Sequence, residues 1–281
     1  MAPRYDTITF LSDYGTDDEF VGVVHSVLRS LAPHAHVVDL THGVPPHDVR
    51  AGALTLARSV QYVAPGVVLA IVDPGVGTAR RGVAIEVLDG QAVFVGPDNG
   101  LLAPAVAMVG GAGRAVSLTN DEHHLPAPGP TFAGRDVFAP VAAHLANGVP
   151  FDELGEAVDP SSLLPGVVPL TRQEDDRLVA EVLWVDRYGN CQLNVDPDEV
   201  EGLGERILLR WKGSTRTGVR SQTYGDIPGG QVGLVVDSYG LLSVCVDRSS
   251  AADELGLAAG DEVTLEAGGP MVTPVELRTG A

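Results

Sequence analysis

The amino-acid sequence predicts an α/β domain on a mostly parallel sheet, then a linker and a smaller all-β domain, with boundaries at residues 1–165, 166–176 and 177–281. Three observations carry this prediction. The chain of 281 residues exceeds one average domain and falls short of three, with ample length to bury a core. From Thr7 to about Asn147, short β-branched runs alternate with segments of helical period. After Gly155 that period gives way to short strand-like segments spaced by turns.

Taken in order, residues 8–11 read as a strand, 20–31 as a helix, 37–40 as a strand, 49–60 as a helix and 67–72 as a strand. This βαβαβ order builds a parallel sheet covered on both faces, with the functional loops gathered along one edge. Three of those loops are polar: residues 12–19, residues 41–48 and the loop that opens at Asp73. In Pro97-Asp98-Asn99-Gly100-Leu101-Leu102 a turn dipeptide precedes apolar residues, which predicts the opening of a short helix. Residues 160–171, rich in proline and leucine without period, read as the linker. Residues 179–185, 191–195, 207–211, 232–236, 241–246 and 262–265 then form strands of a small antiparallel barrel or sandwich. Residues after Gly268 read as a loosely held tail.

A net charge of −19 and a pI near 4.6 argue against non-specific binding to nucleic acid or to an anionic membrane, and they favour a cationic small molecule. Lys212 is the only lysine and sits in a polar, hairpin-like stretch, so Schiff-base chemistry has one poor candidate. Cys191 and Cys245 are too few for a disulfide framework and lack CxxC spacing, which points to a reducing, cytoplasmic compartment. The N-terminus has no basic and apolar signal pattern, and no apolar run approaches the length of a bilayer span.

The segment Ile-Val-Asp-Pro-Gly-Val-Gly-Thr-Ala-Arg-Arg at 71–81 concentrates chemistry. Asp73 is the first polar residue after the third strand, where an open α/β sheet binds its ligands. Arg80 lies within reach of the same turn, so the carboxylate is expected to stay ionised and the pair can orient a small polar reactant such as water. The alternative is an ordinary Asp-Pro-Gly turn flanked by solvated arginines. Asp13, after the first strand, stands where ribose hydroxyls are commonly held, or else caps a turn. Asp13, Asp73 and residues 131–136 all fall on one sheet edge if the topology holds. Asp186-Arg187-Tyr188-Gly189-Asn190 and Asp237-Ser238-Tyr239-Gly240 each join two strands, as plain hairpin turns or as groups offered to a nucleobase.

Several chemistries lack support. Gly75-Val76-Gly77 fails as a dinucleotide fingerprint because Arg80 takes the place of the third glycine. No P-loop and no GxSxG elbow occurs. Glu122-His123-His124 puts two histidines side by side in a loop, a poor ligand set, and no HExxH or paired CxxC is present, so no metal is expected.

These residues resemble the S-adenosyl-L-methionine hydroxide adenosyltransferases, relatives of the fluorinase and chlorinase. The resemblance spans nearly the whole chain and rests on Phe10-Leu11-Ser12-Asp13, Asp39-Leu40-Thr41-His42, Asp73 to Thr78 with Arg80, the Pro97 to Leu102 segment, Thr131-Phe132-Ala133-Gly134-Arg135-Asp136, and Asp186-x-Tyr188-Gly189-Asn190. It implies a Rossmann-like N-terminal domain, a β-barrel-like C-terminal domain, and a homotrimer with sites between one subunit's N-terminal domain and a neighbour's C-terminal domain. The implied reaction is cleavage of S-adenosyl-L-methionine at C5′–S by water, giving adenosine and L-methionine without a cofactor. Asp13 would hold the ribose diol, Asp186 and Ser238 would contact the methionine end, and Asn190, Tyr224 and the backbone from Val246 to Arg248 would hold adenine. Phe132 and Tyr188 would be packing walls. The family's water-activating set is Asp, Arg and His; Asp73 and Arg80 match the first two, and Ala133 stands where the family has His, which implies slow turnover. A non-catalytic protein that binds adenosine or S-adenosyl-L-methionine is the alternative. Halogenation is disfavoured, since the halogenases carry tyrosine in place of Asp73 and the long fluorinase insertion is missing.

Overall fold

In the computed structural model, which describes residues 4–268, the expected alternation forms as β1 (Thr7–Ser12), α1 (Phe20–Leu31), β2 (His36–Thr41), α2 (Val49–Ser59) and β3 (Val67–Ile71). The tail expected after Gly268 lies outside the described residues. Asp48 caps α2 by accepting a hydrogen bond from the Ala51 amide at 2.8 Å, and Pro33 follows the end of α1. The chain continues through β4 (Gly82–Val87), β5 (Ala92–Pro97), α3 (Ala103–Met108), β6 (Arg114–Ser117), α4 (Ala139–Ala146) and β7 (Glu156–Val158). The short helix expected after Pro97 is α3.

These strands form one sheet in the order β2-β1-β3-β5-β4-β6-β7. Its first four strands run parallel, and the β5–β4, β4–β6 and β6–β7 pairs are antiparallel. The mixed character comes from the tight turn Leu88–Gly90, which leaves no room for a crossover; Leu88, Asp89 and Gly90 all take left-handed backbone there. Alternate residues of β3 serve two cores. Leu69 and Ile71 pack with Val24 and Leu28 of α1 and Val141 and Leu145 of α4, whereas Val68 and Ala70 pack with Ala53 and Leu56 of α2 and Ala105 of α3. Burial on both faces explains the unbroken apolar run that made β3 legible.

By contacts the chain divides into two units, Met1–Val168 and Pro169–Ala281. The second contains β8 (Arg172–Glu174), β9 (Arg177–Val185), β10 (Cys191–Leu193), β11 (Arg206–Trp211), β12 (Ser214–Arg220), β13 (Val232–Val236), β14 (Leu242–Val246), α5 (Ala251–Leu255) and β15 (Glu262–Ala267). Its strand order is β10-β14-β13-β12-β11-β15-β9-β8, and the second half of β9 also pairs with β10, which closes seven of these strands into a barrel around Val182, Leu193, Ile207, Leu209, Val244 and Val263. Closure removes the open edges that a sandwich would leave. Residues 172–174, within the expected linker, form β8 on the first half of β9; their exposed Arg-Gln-Glu sequence carries no apolar signal. Lys212 and Gly213 make the two-residue turn between β11 and β12, and the lysine pairs with Asp261 at 2.6 Å. Cys191 and Cys245 are buried free thiols, and burial pushes Cys191 up to about 12. Among the described residues no helix is long and apolar enough to cross a membrane.

Two glycines test this packing. A Cβ on Gly96 of β5 would collide with the Ala70 carbonyl oxygen of β3, whereas one on Gly22 of α1 meets nothing within 4 Å. Gly96→Ala is expected to destabilise by about 1–3 kcal/mol, and Gly22→Ala to stabilise by about 0.5–1 kcal/mol, as measured by chemical denaturation.

Candidate active site

The carboxyl end of β3 delivers Val72 and Asp73 into a turn that doubles back on itself. The Val76 amide donates to the Asp73 carbonyl at 3.2 Å, the Thr78 hydroxyl donates to the Gly75 carbonyl at 2.6 Å, and Gly77 adopts φ +77° against the Pro130 carbonyl, where a side chain would be strained. The turn brings Arg80 back to Asp73, and its Nη2 donates to Oδ2 at 2.5 Å. Arg80 also donates through Nη1 to the Arg81 carbonyl at 2.7 Å and lies over the Phe138 ring at 5.3 Å. The two side chains are only 6% and 14% exposed, which rules out solvated arginines as the reading of Arg80. Arg81 has a structural role, with Nη2 on Asp98 Oδ2 at 2.6 Å and on the Ser162 carbonyl at 2.7 Å. Asn99 donates to the Val72 carbonyl at 2.8 Å and so fixes the backbone just before Asp73.

Arg80 pairs with the Asp73 carboxylate at the spacing the sequence implies, and burial acts against that pairing. Burial raises the Asp73 pKa more than the Arg80 charge and hydrogen bond lower it, and the Asp13 charge adds to the rise. Asp73 Oδ1 is buried and carries no hydrogen bond from the protein. The result is a base of raised affinity for a proton, with one oxygen pinned by Arg80 and the other available.

The other two polar loops meet at this edge, as the topology predicts. Asp13 donates its amide to the Ile71 carbonyl at 3.3 Å and accepts from the His47 amide at 2.9 Å through Oδ2. The Gly15 amide donates to the His42 carbonyl at 2.8 Å. Tyr14, which the sequence reading did not single out, packs its hydroxyl so closely on Gly134 that a Cβ there would collide with it. Burial, and then the charges of Asp13 and Asp73, raise the Tyr14 pKa. Phe132 stands edge-on to Tyr14 and Phe20 at 5.7 and 5.0 Å between ring centres.

Ala133 precedes one turn of π-helix, Gly134–Phe138, that opens into α4; such turns recur at functional sites. Ala133 lines a cavity of about 520 Å³ with Gly77, Asp121, His124 and Asp136. His124 lies several residues upstream in a proline-bounded loop, yet it shares this cavity with Ala133. Its Nδ1 is 3.2 Å from Asp121 Oδ1, its Nε2 has no hydrogen bond, and burial lowers its pKa. Asp73 and Arg80 are not among the residues lining that cavity.

In the second unit, Tyr188, Asn190, Tyr224, Val246 and Arg248 come together, with Ser249 and Ser250, around a cleft of about 500 Å³. Asp186 supports them: its Oδ1 accepts from the amides of Tyr188 and Asn190 at 2.8 and 2.9 Å, and its Oδ2 accepts from the Asn190 side chain at 2.8 Å. Gly189 is required here, since a Cβ would run into Ser250. Ser238 does not line the cleft but sits exposed in the second Asp-x-Tyr-Gly turn, where Asp237 repeats the pattern by accepting from the Tyr239 amide at 2.8 Å. Both Asp186 and Asp237 contribute to raising the Tyr224 pKa, after burial and Cys245.

The chain is similar to known proteins over most of its length. Residues 8–155 match the family model of the SAM hydroxide adenosyltransferase N-terminal domain, and residues 180–264 match that of its C-terminal domain. A protein of Salinispora tropica named (R)-S-adenosyl-L-methionine hydrolase is 47% identical over 268 residues, 95% of this chain and 100% of that one. A fluorinase of an Actinoplanes species is more distant, 27% identical over 92% of this chain and 96% of its own. A crystal structure of an uncharacterized conserved protein from Thermotoga maritima superposes with a TM-score of 0.84 at 31% identity, covering 92% of this chain and 99% of that one.

The balance at Asp73 is open to direct titration. Site-resolved NMR is expected to show its carboxyl titrating above the ordinary aspartate range. Arg80→Leu should move it higher still, because the lowering contribution is removed while burial remains.

Proposed function

The chain belongs to the SAM hydroxide adenosyltransferase family, and on that premise we propose that it hydrolyses S-adenosyl-L-methionine to adenosine and L-methionine. The observation that carries this reading is the buried Asp73, whose Oδ2 is fixed by Arg80 and whose Oδ1 is left to accept a hydrogen bond from water. The water oxygen forms a bond to C5′ as the C5′–S bond breaks, the electron pair leaves on sulfur as neutral methionine thioether, and the water proton passes to Asp73 and on to solvent. No acid is needed for a leaving group that departs neutral, and no cofactor takes part. Catalysis is then mainly alignment: well-oriented attack contributes on the order of 7–11 kcal/mol.

In this reading Asp13 holds the ribose diol and Phe132 walls the nucleoside. Asn190, Tyr224 and the Val246 to Arg248 backbone hold adenine, with Tyr188 packing beside it. Ser238 reaches the methionine end, and Asp186 acts there or through the Asn190 amide it fixes. The active enzyme is a homotrimer in which a Rossmann-like N-terminal domain and a neighbouring subunit's barrel complete each site. It works in a reducing cytoplasm, in keeping with two buried free thiols. A carboxylate at position 73 disfavours halide as the nucleophile, because like charges repel in a buried site.

Ala133, in the family's histidine position, leaves the water without an imidazole partner. We expect slow turnover with near-normal ligand affinity. Chromatography of adenosine and methionine from (R)-S-adenosyl-L-methionine should show Ala133→His faster by about 10²–10⁴, with Asp73→Asn inactive and the label from heavy-oxygen water recovered in adenosine. Turnover absent from both wild type and Ala133→His, with adenosine still bound in calorimetry, would favour the binding-protein reading. In the same calorimetry, Asn190→Ala should weaken adenosine binding by about 1–3 kcal/mol.

A further inference from the structure

Between α1 and the β1–β2 pair, three side chains converge that the proposed reaction does not use. His25 Nε2, from the middle of α1, is 2.8 Å from Asp39 Oδ1, and His42 Nε2 lies 3.0 Å from the same oxygen. The candidate ligand atoms of the three residues all fall within 4.8 Å of one another. We propose that His25, Asp39 and His42 form a binding site for a borderline divalent metal ion of the Zn²⁺ class.

Four features support a built site over a chance meeting. First, His42 is 8% exposed, and its Nε2 makes no hydrogen bond although the carboxylate is near, so the nitrogen faces Asp39 off the line a hydrogen bond requires. Second, its other nitrogen is engaged: Nδ1 is 2.8 Å from the buried Ser12 hydroxyl, the outer partner that fixes ring orientation and directs Nε2 toward a metal. Third, the fully buried Phe10 ring contacts both imidazoles, edge-on to His42 at 4.6 Å and tilted to His25 at 6.1 Å between centres, so both ligands are oriented by one rigid strand residue. Fourth, the Asp39 and His25 side chains are 43% and 35% exposed, which leaves an entry path and room for water to complete the shell.

Two imidazoles and one carboxylate with an open position suit Zn²⁺ and its first-row neighbours, and suit Mg²⁺ or Ca²⁺ poorly, since those ions want oxygen. Bonds of about 2.0–2.2 Å place tetrahedral ligand atoms roughly 3.3 Å apart, so each nitrogen needs to draw back only slightly from the Asp39 oxygen. The site escapes a sequence scan because His25 is on a helix while Asp39 and His42 flank the end of the next strand.

The test is calorimetric titration of chelator-stripped full-length protein with Zn²⁺. The expected result is one Zn²⁺ per chain, binding weakened at least tenfold in both His25→Ala and Asp39→Asn, unchanged in His124→Ala, and not displaced by millimolar Mg²⁺. Zn²⁺ should also raise the unfolding temperature of the wild type and of His124→Ala but not of His25→Ala. Absence of saturable binding would overturn the proposal. So would binding that survives both His25→Ala and Asp39→Asn, with loss in His124→Ala assigning the metal to the His123, His124 and His144 group. Asp39→Asn keeps the size of an exposed side chain, so the result stands even if His25→Ala fails to fold.

Discussion

Burial of the Asp73–Arg80 pair is the constraint that organises the first unit. Neither charge could be held there alone, because taking a carboxylate or a guanidinium out of water costs several kcal/mol that only a close, well-aligned partner offsets. The surrounding sequence serves that alignment. Gly77 lets the loop turn back against Pro130, Asn99 ties the Val72 carbonyl, and Phe138 gives the Arg80 guanidinium an aromatic floor. The neighbouring pair of Arg81 with Asp98, whose Oδ1 also accepts the Leu164 amide at 2.8 Å, holds the strand end that follows Arg80. Asp73 Oδ1 and Arg80 Nε stay without hydrogen bonds after all this, and burial raises the pKa of the carboxyl.

How much of this was legible depended on how each segment is buried. β3 announces itself because its apolar run is unbroken, flanked by turn residues and buried along its whole length, whereas β1 and β2 show only short apolar runs set beside polar residues. β12, with Ser-Thr-Arg-Thr-Gly-Val-Arg, keeps most of its side chains out of the core and was invisible to a hydrophobic pattern. The β4–β5 hairpin carried an Asp-Gly signal at 89–90 that, read, would have made that pair antiparallel in advance. Asp73 and Arg80 were legible as a carboxylate and a guanidinium on one tight turn. The direction of the Asp73 shift was not, because desolvation is a property of the packed site and not of spacing. Tyr14 was missed for a related reason: in sequence it is one more polar-loop residue, and only the contact with Gly134 brings its hydroxyl inward. The cleft around Val246 and Arg248 came from family resemblance alone, since nothing in their spacing marks them.

The two Asp-x-Tyr-Gly turns of the barrel show how one local device can be put to different uses. In each, the aspartate Oδ1 accepts amides two and four residues on, and the glycine takes φ near +82° or +83°. They diverge at Oδ2. Asp186 spends it on the Asn190 side chain at the cleft, while Asp237 spends it on Gln192 at 2.6 Å and Ser243 at 2.9 Å, both buried in the barrel. The first turn therefore orients an outward amide and the second braces the interior. A carboxylate already holding three donors is a better organiser of a neighbour than a direct ligand, which favours Asn190 over Asp186 as the contact group.

The same accounting separates water from halide as the nucleophile. Arg80 neutralises Asp73 only in part, since it engages a single oxygen and burial still lifts the proton affinity of the carboxyl. An anion brought beside Oδ1 would meet that carboxylate across a low-dielectric gap, whereas a water molecule donates a hydrogen bond to it and gains nucleophilicity as it does so. In the proposed reaction, partial neutralisation would make the arrangement selective. A stronger pairing, with both oxygens forked by the guanidinium, would hold the carboxylate ionised and weaken it as a base, and a carboxylate with no arginine would hold a proton more tightly still.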